Sequence, residues 1–132
     1  MMKTTTNKEN WFDSQTYRVY TPDATLFVII VDDHDGEPMS VDIHGVRGNA
    51  PLALWILSIS QFINHLLKSG THISKIITLL DVPVSPKYSQ NNNGIRIYSG
   101  PDGIKWALTQ YLQDKSINKN RRIVLNVGSG LG

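Results

Sequence analysis

The stretch from Thr25 to His44, TLFVIIVDDHDGEPMSVDIH, decides the fold. Residues 25–31 are apolar on both alternating sets of side chains. This predicts a strand covered on both faces, by a helix layer on one and by a further layer or a partner subunit on the other. Residues 32–38 supply Asp, Gly and Pro for a turn, and apolar and polar residues then alternate as far as His44. We therefore predict an antiparallel hairpin whose second strand has one buried face and one face exposed to solvent.

The segment 50–68 has the pattern of a long helix. Asn49 is placed to cap it, and Pro51 lies in the first turn, where its missing N–H costs nothing. The apolar stripe is wider than an ordinary amphipathic face, which predicts a central helix or a subunit interface. Gly70 ends this helix, and we expect Thr71 to cap a second, short helix. The stripe consists of Leu52, Trp55, Ile56, Ile59, Ile63 and Leu66, widened by Leu54, Leu57, Phe62 and Leu67.

The flanking segments extend the sheet and add a third helix. Residues 17–20 alternate weakly and stop at Pro22, which predicts a short or edge strand. Residues 95–98 and 123–127 predict two further strands, the second at the end of the chain. A helix begins at Pro101 or Asp102. Its apolar residues recur at helical spacing and are Ile104, Ala107, Leu108, Tyr111 and Leu112.

These elements predict an α+β fold. We expect an antiparallel sheet of about three to five strands, with two longer helices at about 50–68 and 101–114 and one short helix packed on one face. The 132 residues suit one domain, which we place at 15–127 as a single ligand-binding domain. A disordered segment, 1–14, precedes it and a flexible tail, 128–132, follows it.

Composition excludes several classes of protein. With 40% hydrophobic and 18% charged residues, the chain is a globular domain rather than a disordered one. The net charge of +2 is small and scattered, which argues against a duplex nucleic-acid binder and leaves a small anionic ligand open. The sequence holds no apolar run of about 18 residues. We therefore expect no membrane association and a cytoplasmic protein.

The sequence offers little for metal binding or catalysis. It has no cysteine, so no thiolate is available to zinc, and its histidines show no short metal-ligand pair. We therefore expect no metal and no cofactor. Asp32, Asp33 and Asp35 sit together in the turn, where solvated charge is the ordinary explanation and a calcium or acid–base role the alternative. No nucleophile has a matching base, which favours a binding protein over an enzyme. The histidines are His34, His44, His65 and His72.

Three segments could bind an anionic ligand. Residues 45–49 combine a helix start with Arg47, although two glycines equally suit a tight strand-to-helix turn. Residues 99–102 open the last helix, and there Asp102 favours capping over ligand binding. The loop 88–94 with Arg96 offers amides, an aromatic ring and a cation, the alternative being an ordinary surface loop.

Part of the chain resembles a known family. Ser99-Gly100-Pro101-Asp102 resembles the motif of the TSCPD family, with Gly100 in place of the motif's cysteine. This family is best known as an accessory domain of some ribonucleotide reductases. Between about 26 and 112, the order of parts is also similar: an Asp-Gly hairpin, the loop Gly45-Val46-Arg47-Gly48 and a long helix.

The resemblance leads to two functional hypotheses. A free-standing, cysteine-free chain of this type is similar to viral anti-defence proteins that block Thoeris immunity by sequestering a cyclic ADP-ribose signal. This resemblance implies a homo-oligomer that binds the ligand, without converting it, in pockets near subunit interfaces. The alternative is a detached accessory domain that binds the large subunit of ribonucleotide reductase or nucleic acid, and the missing cysteine counts against it. Side-chain chemistry selects the candidate ligand contacts, which are Arg47, Asn49, Tyr88, Asn92, Arg96 and Tyr98.

Overall fold

The computed structural model describes residues 12–46, 50–81, 83 and 86–131. In chain order its elements are β1 (Ser14–Tyr20), β2 (Thr25–Asp32), β3 (Pro38–Val46), α1 (Ala50–Lys68), α2 (Ile73–Leu79), β4 (Ser89–Gln90), β5 (Arg96–Ile97) and α3 (Gly100–Leu131). The combination of antiparallel sheet and helices confirms the α+β class. Most of the segment 1–14 lies outside the described residues, and β1 begins at Ser14, one residue before the predicted domain boundary.

The main sheet has the strand order β1-β2-β3, and both pairings are antiparallel. The predicted hairpin is therefore confirmed, with β2 at the centre and β1 at an edge. Asp33 organises the turn between β2 and β3, because its carboxylate accepts hydrogen bonds from the backbone N–H groups of Asp35 at 2.9 Å and Glu37 at 3.0 Å. The short strands β4 and β5 pair separately as a second antiparallel hairpin.

Burial along β2 alternates, so the expectation that this strand is covered on both faces is wrong for the chain by itself. Leu26, Val28 and Ile30 are fully buried, whereas Phe27 and Ile29 on the other face are half-buried. The reason is that the helices pack on one face of the sheet. On the opposite face, Phe27 lies in register with Arg18 of β1 and His44 of β3.

The core lies between that sheet face and the helices. α1 packs on β3, while α3 packs on β1 and β2. The buried apolar residues of α3 follow the predicted helical spacing. Across the whole core the fully buried large side chains are Val19, Leu26, Val28, Ile30, Val41, Ile73, Ile76, Ile97, Ile104, Leu108 and Tyr111.

The junction between α1 and α2 matches the prediction at its glycine and differs at its cap. Gly70 has φ +87, and the N–H of Thr71 donates to the carbonyl of Leu66 at 2.9 Å, which ends α1 in a left-handed stop. The cap of α2 is His72 rather than Thr71. Its Nδ1 accepts a hydrogen bond from the backbone N–H of Ser74 at 3.1 Å, so an imidazole fills the role expected of a hydroxyl.

The predicted terminal strand at 123–127 is wrong. α3 continues as one helix from Gly100 to Leu131, through that segment and through most of the expected tail 128–132. Residues 113–127 contain neither Gly nor Pro to stop the helix. A strand also needs a neighbour to pair with, whereas a helix satisfies its backbone internally. No described helix is both long enough and apolar enough to pass through a bilayer.

Candidate functional site

The β4–β5 hairpin carries four of the six candidate ligand residues. A 3-10 turn at Asn92–Gly94 joins its strands, and the N–H of Asn91 donates to the carbonyl of Ile95 at 2.8 Å. The Asn91 side chain anchors the hairpin to the end of β1. Its Oδ1 accepts from the Tyr20 N–H at 2.9 Å, and its Nδ2 donates to the Tyr20 carbonyl at 3.0 Å.

Three of the candidates form one cluster on this hairpin. The Arg96 guanidinium carbon lies 4.6 Å from the centroid of the Tyr88 ring, and the rings of Tyr88 and Tyr98 meet edge to face with centroids 6.1 Å apart. Tyr88 is 44% exposed, and Arg96 is also exposed. The guanidinium of this exposed residue carries N–H donors in a planar fork that fits a phosphate or carboxylate.

The remaining candidates are placed less fully. Asn92 is exposed in the turn of the same hairpin. Arg47 and Asn49 lie outside the described residues, so the structure does not test the predicted 45–49 phosphate cradle. Val46, which precedes them, ends β3 opposite Thr25, and Thr25 lies opposite Tyr20. The end of β3 and the anchor of the hairpin are therefore at the same end of the sheet, two strand spacings or about 10 Å apart.

The backbone N–H groups at the start of α3 donate hydrogen bonds to side chains of the protein itself. The Gly100 N–H donates to Asp23 Oδ2 at 2.9 Å, and the Asp102 N–H donates to Ser99 Oγ at 3.2 Å. Asp102 reaches back to accept from the Tyr98 N–H at 3.0 Å. The donors that would attract an anion are thus already occupied, which confirms capping over ligand binding at this helix start.

Gly100 sits where the resembling motif has cysteine, and the structure explains the glycine. A Cβ built at this position would lie 2.2 Å from Cη2 of Trp55, far inside van der Waals contact. The indole of α1 fills the space that a side chain at position 100 would need. The glycine is therefore required by the packing of Trp55, on α1, against the start of α3.

A second polar cluster, which the sequence did not reveal, lies at the opposite end of the sheet. The Asp32 side chain is 5% exposed, and its carboxylate accepts hydrogen bonds from the Tyr111 hydroxyl and, at 2.8 Å, from Lys115 Nζ. Nearby, the Tyr17 hydroxyl donates to Asp114 Oδ2 at 2.7 Å. We call these five residues the Asp32 cluster.

The Asp32 cluster borders a cavity of about 720 Å³ between the β2–β3 turn, α3 and the start of α2. Four carboxylates, those of Asp13, Asp32, Asp35 and Glu37, line the cavity with one ammonium group, Lys115. The lining therefore repels an anionic ligand. The expectation of solvated charge in the turn is wrong for Asp32, whose side chain points into the core face of the sheet.

Burial and neighbouring carboxylates keep the hydroxyls of Tyr17 and Tyr111 protonated, so both act as hydrogen-bond donors. Burial, reinforced by the hydrogen bond to Asp32, raises the pKa of the Tyr111 hydroxyl well above its ordinary value. Burial and the Asp114 carboxylate raise the pKa of the Tyr17 hydroxyl in the same way. Neither phenol is poised to act as a base near neutral pH. We interpret the Asp32 cluster as a set of hydrogen bonds that holds α3 against the sheet.

The hairpin candidates and the Asp32 cluster thus lie at opposite ends of the main sheet. β1 spans seven residues between them, or about 20 Å. Among the described residues no group of three His, Cys, Asp or Glu side chains is arranged to hold a metal ion. Comparisons with models of protein families, with curated proteins and with solved structures find no match.

Proposed function

We propose that the protein binds a phosphate-bearing nucleotide of the cyclic ADP-ribose type at the β4–β5 hairpin and holds it without converting it. Sequestration of this kind would keep the ligand from its effector, as in the viral anti-defence proteins that the sequence resembles. The observation that carries the proposal is the exposed cluster of Tyr88, Arg96 and Tyr98.

The chemistry of the cluster suits a nucleotide. A guanidinium held against a tyrosine ring has its orientation fixed in advance, so less side-chain entropy is lost when its edge binds phosphate. Tyr88 is exposed enough to offer an aromatic surface for a base. Asn92 adds an amide that can donate to and accept from a ribose or a base edge.

The charge distribution also favours this end of the sheet for an anion. The cavity at the other end is lined by four carboxylates and one lysine. The hairpin instead presents Arg96, and Val46, which lies at the same end of the sheet, directly precedes Arg47 in the sequence. An anionic ligand would be drawn to the hairpin end and away from the cavity.

Calorimetry with cyclic ADP-ribose tests the binding site. Loss of a charge-assisted contact should weaken binding by roughly ten- to a hundredfold in Arg96→Ala, with an unchanged melting temperature. Arg96→Lys should recover little of this, since an ammonium group keeps the charge and loses the planar fork. Lys75→Ala removes the same charge from the exposed face of α2 and is the matched control. Equal affinity in Arg96→Ala and the parent would contradict the site.

A separate experiment tests whether the ligand is converted. The complex is heated, and the released nucleotide is compared with the starting material by chromatography and mass. Sequestration predicts recovery of the intact ligand, and the recovered ligand should again activate an effector that responds to cyclic ADP-ribose. Recovery of a hydrolysed product would show that the protein is an enzyme.

A further inference from the structure

One face of α1 exposes large apolar side chains to solvent. Leu54 is 68% exposed, Leu57 is 57% exposed and Phe62 is 69% exposed. Leu54 and Leu57 are neighbours at i, i+3, and Leu54 and Phe62 stand two turns apart on the i, i+4, i+8 row. An exposed apolar patch of this kind usually marks an interaction site.

The same face carries no formal charge. From Ala50 to Leu67, α1 contains no Asp, Glu, Lys or Arg. A helix that lies on a protein surface ordinarily shows charged residues on its outer side. The outer side of α1 instead presents Ala53, Leu54, Leu57, Ser58, Gln61, Phe62 and His65.

We propose that α1 docks against α1 of a second copy of this chain around a two-fold axis at Ser58. The row Leu54–Ser58–Phe62 is a single ridge with a small residue between two large ones. When two such ridges cross antiparallel at Ser58, Leu54 of one copy meets Phe62 of the other, and the two serines allow close approach. Interdigitated i±4 ridges are the commonest way in which helices pack.

The charge pattern favours a second copy as the occupant. A two-fold contact brings each residue near the axis close to itself, so an interface of this kind must be free of charge at its centre. The nearest ionisable residues of α1 are His65 and Lys68, seven and ten positions from Ser58. At 1.5 Å per residue, each lies about 10 to 15 Å from the axis, and its symmetry mate lies about 20 to 30 Å away. That separation exceeds the range of electrostatic interactions in physiological salt, about 8 Å.

The interface is independent of the proposed nucleotide site, because it uses α1 and none of the hairpin residues. Sedimentation velocity and light scattering on the full chain measure it directly, and the parent should be a dimer at micromolar concentration. Ser58→Glu places two like charges against each other at the axis. It should raise the dissociation constant by about a hundredfold or more and give a monomer. Gln113→Glu, the same change at an exposed position of α3, is the control and should remain dimeric.

Mixing two variants distinguishes the two-fold contact from any other partner. Ser58→Lys should also be monomeric alone, and an equimolar mixture with Ser58→Glu should form a one-to-one dimer, since opposite charges then meet at the axis. Circular dichroism melts confirm that each variant is folded. A monomeric parent, a dimeric Ser58→Glu variant, or a mixture that stays monomeric would each overturn the proposal. The first outcome would leave a different protein as the partner of α1, and the second would place the interface on another face.

Discussion

At the scale of single residues, the most informative side chain is Asp32. In the sequence it belongs to a run of acidic turn residues, and its solvent exposure was expected. Its partners are Tyr111 and Lys115, which lie 79 and 83 positions away along the chain. Local pattern cannot anticipate a contact over that separation. The burial of Asp32 follows from the register of β2, which turns this position toward the helices.

The Tyr111–Asp32 hydrogen bond should contribute measurably to stability. Tyr111→Phe removes one donor to a buried carboxylate and leaves the ring packing intact. A hydrogen bond to a charged group contributes about 1.5 to 3 kcal/mol, so the free energy of unfolding in urea should fall by about that amount. Tyr20→Phe, at a tyrosine that is 41% exposed, should change it by less than about 0.5 kcal/mol. Equal stability of the two variants would show that the hydrogen bond does not form.

Replacing Gly100 by alanine should change the stability in the direction opposite to the usual one. In most helices, Gly→Ala is stabilising by about 1 kcal/mol. Here the new methyl group would overlap the Trp55 ring, so Gly100→Ala should instead destabilise the protein by about 1 to 3 kcal/mol in thermal or urea unfolding. Combining it with Trp55→Leu, which makes room, should recover part of the loss in a double-mutant cycle. Additive effects of the two substitutions would contradict the contact.

At the scale of secondary-structure elements, the sequence predicted what local signals determine. The β2–β3 hairpin follows from alternation and turn residues, and α1 follows from its periodicity and the Gly70 stop. The half-exposed second face of β2 was missed because an apolar strand does not reveal how many layers cover it. The segment 123–127 was mistaken for a strand because β-branched residues also occur in helices that nothing interrupts.

The candidate site was predicted in its residue types and not in its arrangement. The loop that contains Tyr88 and the nearby Arg96 stood out because it combines aromatic, amide and cationic side chains. The stacking of Arg96 on Tyr88 depends on the pairing of β4 with β5, which are strands of only two residues each. Such short strands give almost no periodic signal. Arg47 and Asn49 remain predictions.

Asn91 should determine how firmly the β4–β5 hairpin is held. Asn91→Ala removes both hydrogen bonds to the Tyr20 backbone, so the Tyr20 amide should exchange with solvent about tenfold faster. Native-state hydrogen exchange followed by NMR measures this at the single amide. Asn92→Ala, in the neighbouring exposed position, is the control and should leave that rate unchanged. Unaltered exchange in Asn91→Ala would mean that the hairpin is held elsewhere.

At the scale of the whole molecule, α3 is joined to the rest of the fold at two points, one in its first turn and one near its middle. Near its start, Gly100 bonds Asp23, and farther along it the Asp32 cluster ties Tyr111 and Lys115 to β2. The first joint lies near the proposed nucleotide site, and the second lies about 20 Å away at the acidic cavity. The proposed nucleotide site and the Asp32 cluster therefore lie at different ends of the fold.

The two tyrosines of the Asp32 cluster predict how the free energy of unfolding depends on alkaline pH. The pKa values of the Tyr17 and Tyr111 hydroxyls are raised in the folded state, whereas an unfolded tyrosine titrates near pH 10. Below pH 10 both states keep the protons, and the stabilisation is fully present. Above pH 10 the unfolded state loses protons first, so the free energy of unfolding falls as pH rises toward the folded pKa values. Urea titrations between about pH 9 and 11 should show a shallower fall in Tyr111→Phe. Parallel slopes for the variant and the parent would refute the assignment to Tyr111.

The Asn91 side chain also occupies one end of an edge strand. Its amide offers Tyr20 one N–H and one carbonyl, as the backbone of an added strand would. β1 is the edge of the sheet, and an open edge is a template on which further chains can add as strands and grow into fibrils. A side-chain amide makes the same hydrogen bonds but cannot be extended by another strand. A chain that adds to β1 at this end would first have to displace the hairpin, so the Asn91 amide blocks strand addition at Tyr20.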